Sequence, residues 1–184
     1  MGKSAIFFAD GLEEIEGLTV VDLFRRVALP IDIISISGSR EITGAHGIRL
    51  GADLCFEEAV LSDYDLLILP GGMPGTLHLR DHAGLAAWLQ SADAAGRWIA
   101  AICAAPTVLG GLGLLKGRHA TCYPGREPEL TGAICEKTPV VRDGHIITSR
   151  GMGTAIDFAC ELISLLKDPE TAEKLAASIV YRQE

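Results

Sequence analysis

Short, unbroken apolar runs alternate along this chain with segments whose apolar positions recur every three to four residues. Ala5-Ile6-Phe7-Phe8-Ala9, Ile31 to Ile36, Tyr64 to Leu69 and Trp98 to Ile102 are the runs. They lack strict polar alternation, which suits strands buried on both faces of a sheet. Glu13 to Val27 and His78 to Ala95 carry helical spacing, and a further helix begins just after Cys103. Val140 to Ile147 reads as strand, tight turn, strand, because Asp143-Gly144 divides two apolar stretches. Thr154 to Lys167 and Glu170 to Val180 read as two helices parted by Pro169. Residues 37–60 are less regular and suggest a small β excursion. Strands alternating with helices predict βαβ units and a mostly parallel sheet covered on both faces. In such sheets sites form beyond the carboxyl ends of the strands, so the turns Asp10 to Glu16, Pro70 to Gly75 and Ile102 to Pro106 matter most.

Composition narrows the function classes. The 184 residues fit one ordinary domain, expected to span 1–184, with 48% hydrophobic and 22% charged residues. The 24 acidic residues outnumber the 16 basic ones, for a net charge of −8, which argues against nucleic acid and anionic membranes as partners. No apolar run approaches the ~18 residues of a membrane span. The N-terminal residues make a poor signal peptide and a poor myristoylation site, Ile6 standing where a hydroxyl residue is needed. Five cysteines without Cys-x-x-Cys spacing support neither a zinc knuckle nor a dithiol motif, and point to free thiols in a reducing, cytoplasmic setting.

The chemistry concentrates at Ala100 to Pro106, where a strand ends on Cys103 between small residues. This is the pattern of a nucleophile elbow, whose sharp turn holds a reactive atom out beside backbone N–H groups. A following helix N-terminus would lower the thiol's pKa below its usual ~8.5. The same stretch also reads as an ordinary buried cysteine. Pro70-Gly71-Gly72 offers backbone N–H groups for an anion hole, or simply ends a strand. Glu13 and Glu14 are expected to complement the first helix's dipole. Glu16 differs: it shares a helical stripe with Val20, Leu23, Phe24 and Val27, so its carboxyl should be desolvated and its pKa raised. His78 and His82 have zinc-pair spacing but lack an accompanying Glu, and Gly151-x-Gly153 lacks the third glycine of a dinucleotide fingerprint.

Taken together, Asp10 to Glu16 (DGLEEIE), Asp65 to Gly72 (DLLILPGG), Ala100 to Pro106 (AAICAAP) and Thr148 to Ala155 (TSRGMGTA) resemble the ThiJ/PfpI superfamily, in its deglycase branch. The four motifs stand in the family's order and span nearly the whole chain. The resemblance implies a flavodoxin-like α/β sandwich and a homodimer. It implies Cys103 as the reactive thiol, Glu16 as its protonated partner, and Gly72 and Ala104 as the surrounding N–H groups. It also implies a cofactor-independent and metal-free glyoxalase or deglycase acting on methylglyoxal or early glycation adducts. An oxidative-stress sensor or chaperone, and a related hydrolase or lyase such as an isonitrile hydratase, are the alternatives. Two positions depart from the pattern. Ala104 replaces the histidine of protease-like members, and Tyr123 stands where some members carry a histidine, so any proton relay must lean on Glu16 or another residue. His46 stands where relatives place a basic residue that approaches the site across the dimer; it also reads as a surface-turn histidine.

Overall fold

The computed structural model describes residues 2–181; residue 1 and residues 182–184 of the expected domain lie outside the described residues. The chain runs β1 (Lys3–Phe8), α1 (Glu14–Arg26), β2 (Ile31–Ser35), β3 (Glu41–Thr43), β4 (Arg49–Gly51), β5 (Leu54–Cys55) and β6 (Tyr64–Leu69). It continues through α2 (Gly75–Asp81), α3 (Ala83–Ala94), β7 (Trp98–Ile102), α4 (Pro106–Gly111), β8 (His119–Ala120) and β9 (Ile134–Cys135). The described chain closes with β10 (Val140–Asp143), β11 (Ile146–Ser149), α5 (Ala155–Leu166) and α6 (Pro169–Ser178).

One seven-stranded sheet, ordered β10-β11-β7-β6-β1-β2-β5, forms the centre. All its neighbouring pairs are parallel except β10 with β11. The apolar runs are continuous because alternate side chains feed two cores. Ile6 and Phe8 join α1, α5 and α6 on one face, while Ala5 and Phe7 join α2, α3 and α4 on the other. This is the doubly covered, flavodoxin-like α/β arrangement that the alternation of strands and helices predicts.

One local reading needs correction, and another gains detail. The helix expected over His78 to Ala95 is two helices: His82 is extended (φ −84, ψ 101), and its Nδ1 accepts the Leu85 N–H at 2.9 Å, capping a new helix. The excursion after β2 resolves into the antiparallel β3–β4 hairpin followed by the edge strand β5.

Candidate active site

The carboxyl end of β7 delivers Cys103 into a strained turn. Its φ is +66, a left-handed conformation that costs a non-glycine residue about 1–2 kcal/mol and needs support from its surroundings. That support is visible. The Cys103 N–H donates to Ser149 O at 3.0 Å, and its carbonyl accepts the Tyr123 N–H at 2.8 Å. Ala104 and Ala105 are buried, so small side chains let the chain reverse before Pro106 opens α4.

The end of β6 closes against this turn through two adjacent glycines. Gly71 accepts the Glu13 N–H at 2.9 Å and donates its own N–H to Glu16 Oε2 at 2.9 Å. A Cβ on Gly71 would stand 2.6 Å from Cys103 Cβ, and one on Gly72 would stand 2.1 Å from Glu13 N. Gly72 also has φ +94, so both space and backbone conformation require glycine there. The N–H groups of Gly72 and Ala104 face the Cys103 sulfur.

Glu16 is 1% exposed, and its Oε1 has no hydrogen-bond partner. Burial pushes its pKa up to about 7, against the opposing pull of the Cys103 thiol and the Gly71 N–H. The raised carboxyl agrees with the sequence expectation; the thiol does not. Burial, and then the Glu16 charge, push Cys103 up to about 12, outweighing the Ala104 and Gly72 N–H groups. The expected helix-terminal lowering fails because α4 has only six residues and begins three positions beyond the sulfur. Near neutrality the thiol therefore keeps its proton while the carboxyl is partly ionised, since two adjacent anions are strongly disfavoured.

Residues to which sequence reasoning assigned no shared role complete the surroundings. A cleft of about 330 Å³ opens between the Tyr123-Pro124 turn and the stretch Arg150–Thr154. Gly151 links it to the acid: a Cβ there would lie 3.4 Å from Tyr123 Cδ2 and 3.9 Å from Glu16 Oε1. Thr148 Oγ1 accepts the Thr121 N–H at 2.9 Å, and Ser149 Oγ lies 2.7 Å from Thr154 Oγ1, bracing these loops. Sequence pattern carries little sign of this, because the loops meet only when β11 pairs with β7.

His46 sits in the β3–β4 turn, bound to Glu14 rather than to the thiol. Glu14 is 3% exposed, and its two oxygens accept the His46 N–H and face His46 Nδ1, each at 2.8 Å. Glu14 thus stands in the first turn of α1, as expected of a dipole partner, and is also a buried clamp on the hairpin. Burial would raise its pKa, but the bonds from His46 together hold it below the usual range, and they raise that of His46. Glu13, Glu14 and His46 lie close enough to share a cation, though His46 already occupies Glu14. His78 and His82 border a separate cavity of about 340 Å³. There the Leu85 N–H occupies His82 Nδ1, so the neutral ring carries its proton on Nε2, unsuited to a metal pair. Among the described residues, no helix is long and apolar enough to cross a membrane.

Comparison with known proteins gives this geometry a context. The model of the DJ-1/PfpI family matches residues 3–165. Protein dj-1beta of Drosophila melanogaster is 32% identical over 183 residues, covering 98% of both chains. A deglycase of Pyrococcus abyssi is 36% identical over 129 residues, covering 68% of this chain and 76% of its own. The solved structure of oxidized Toxoplasma gondii DJ-1 superposes with a TM-score of 0.94 at 34% identity, covering both chains completely.

Proposed function

The chain belongs to the DJ-1/PfpI family, and from that premise we propose that it is a cofactor-independent, cysteine-dependent glyoxalase or deglycase acting on methylglyoxal or early glycation adducts. The observation that carries this reading is the strained Cys103 beside Glu16, whose buried Oε1 has no partner. A buried unpartnered acceptor carries a desolvation cost, and a catalytic role is one reason for a fold to retain it.

Each step uses a group already in position. Cys103 Sγ attacks the aldehyde carbon of methylglyoxal while the Glu16 carboxylate takes the thiol proton. The N–H groups of Gly72 and Ala104, which face the sulfur, serve the oxyanion forming beside it. That oxygen takes the proton from Glu16, giving a neutral hemithioacetal and restoring the carboxylate. Glu16 then removes the hydrogen on the former aldehyde carbon as a proton, giving an enediolate, and returns it to the neighbouring carbon, while the hydroxyl proton on the first carbon passes to the oxygen on the second. The product is a lactoyl thioester: one carbon has been oxidised and the other reduced, with no external electron acceptor. Water cleaves the thioester to lactate and regenerates the thiol. Turnover of methylglyoxal to lactate by the wild type, lost in both Cys103→Ser and Glu16→Gln, supports the assignment; unchanged turnover in either variant refutes that residue's role.

A sensing role is the second reading, favoured by the same pair. A carboxyl whose pKa stands at about 7 can donate a hydrogen bond to an oxidised sulfur and hold it as a sulfinate. Intact mass after mild peroxide reads this directly: a selective gain of two oxygen atoms at Cys103 supports it, and none counts against it. Localisation in the cytoplasm is proposed with either reading.

The homodimer is likewise proposed, with the contact placed at Ile15, Leu18 and Ile48. These are exposed aliphatic residues on α1 and the hairpin that Glu14 clamps to it. Sedimentation should report a dimer for the wild type and monomers for Ile48→Glu; a monomeric wild type overturns the proposal.

A further inference from the structure

The setting of Tyr123 bears on which carbonyl compounds the cleft admits. Its backbone N–H donates to Cys103 O at 2.8 Å, so the root of the ring is tied to the residue that carries the sulfur. The ring flanks Gly151, and the place a Cβ would take on that glycine lies 3.4 Å from Tyr123 Cδ2 and 3.9 Å from Glu16 Oε1. A group seated over Gly151 therefore lies beside both the Tyr123 ring and the buried carboxyl. Tyr123 and Met152 are each 53% exposed, and Gly151 and Gly153 between and beside them present no side chain to fill the space. Single exposed apolar residues are ordinary; a concave pair adjoining a buried reactive acid is a binding feature. Arg150 also borders this cleft, with its guanidinium 3.4 Å from both Thr121 Oγ1 and Glu136 O.

Resting on the aldehyde reading above, we infer that Tyr123 and Met152 form a specificity wall favouring 2-oxoaldehydes with an aryl or bulky apolar second substituent. Methyl covers little of the ring and leaves both side chains in water. An aryl group buries its face against them, and the gain appears in substrate binding. A carboxylate substituent gains nothing from the wall, and only Arg150 would favour it.

The test compares kcat/KM for phenylglyoxal and methylglyoxal in the wild type, Tyr123→Ala and Tyr123→Phe, with glyoxylate, which has no second carbonyl to reduce, as a competing ligand. Initial rates are taken before either dicarbonyl modifies arginine. Reading the phenylglyoxal-to-methylglyoxal ratio between variants cancels the intrinsic reactivities of the aldehydes. Tyr123→Ala should lower that ratio about tenfold, chiefly through KM, while Tyr123→Phe should hold it within about twofold. Met152→Ala should lower it in the same direction, and it reads the wall if Tyr123→Ala fails to fold. Turnover with an unmoved ratio overturns the wall alone, as does a loss in Tyr123→Phe, which would assign the effect to the hydroxyl. Competition by glyoxylate at concentrations well below the phenylglyoxal KM also overturns it, in favour of Arg150. No turnover of either dicarbonyl overturns the aldehyde reading, and the wall with it.

Discussion

Gly71 donates its backbone N–H to Glu16 Oε2 across 2.9 Å, joining residues 55 positions apart at the wall of the thiol site. The bond fixes one carboxyl oxygen and leaves the other, Oε1, buried without a partner. Since Glu16 also responds to Cys103, the carboxyl is held by a rigid strand end while it faces a reactive sulfur.

Glu16 should reveal itself through pH in two ways. Its folded pKa of about 7 lies above the ordinary 4.5, so the folded state binds this proton more tightly than the unfolded chain. The stabilisation is complete below about pH 4.5 and is lost as pH rises through about 7. Denaturation of Glu16→Gln and wild type should therefore coincide near pH 4, with the variant more stable by up to about 3 kcal/mol at pH 8. Methylglyoxal kcat/KM should rise through about pH 7 as the carboxylate forms. Glu16→Gln should abolish that limb and lower the rate by about 10²–10⁴. A pH-independent stability difference would contradict the assignment of the buried charge.

Gly72 tests the packing of the strand end. A Cβ there meets the backbone at Glu13 N and Leu12 C (2.1 and 2.5 Å), on a residue whose φ is +94. Backbone cannot swing aside as a side-chain tip can, so Gly72→Ala should cost about 3 kcal/mol or more in urea denaturation. Gly47→Ala is the control: its φ is +76 but nothing lies within 4 Å, so only about 1 kcal/mol is expected. Equal costs would mean that the close approach at Gly72 is not real.

The Glu14–His46 clamp should make the hairpin sensitive to pH from both sides. His46 has a raised pKa, so its contribution is present below about 6.5 and fades as pH rises through the folded value. Glu14 has a lowered pKa, so its contribution is present above about 4.5 and fades as pH falls through the folded value. Hydrogen exchange at the His46 amide, which donates to Glu14 at 2.8 Å, should be slowest relative to an unstructured peptide near pH 5–6. Glu14→Gln should speed it most in that window; a uniform effect across pH would argue against an ion pair.

Much of the site was legible along the chain because its chemistry is local. Cys103 stands out at the end of an apolar strand among alanines, and Glu16 stands out as an acid on an apolar helical stripe; each can be read within one turn of its own element. Tyr123, Gly151 and Met152 were not legible as a cleft, because their approach depends on β11 lying beside β7, a long-range pairing. The break at His82 was hidden for another reason: a side-chain cap interrupts the backbone without interrupting the apolar period. The burial of Glu14 was not legible, because a first-turn acid normally faces solvent and only the returning hairpin covers it.

The sequence alone determined the doubly covered parallel sheet, since its strands are apolar at successive positions and such strands are stable only with cover on both faces. It also determined which thiol and which carboxyl to examine. Only the tertiary structure decided their protonation. Helix spacing argued for an easily ionised sulfur, yet the sulfur lies in a buried turn ahead of a very short helix and beside a carboxyl. Desolvation and like charge depend on everything packed around a group, and those neighbours come from four separate stretches of chain.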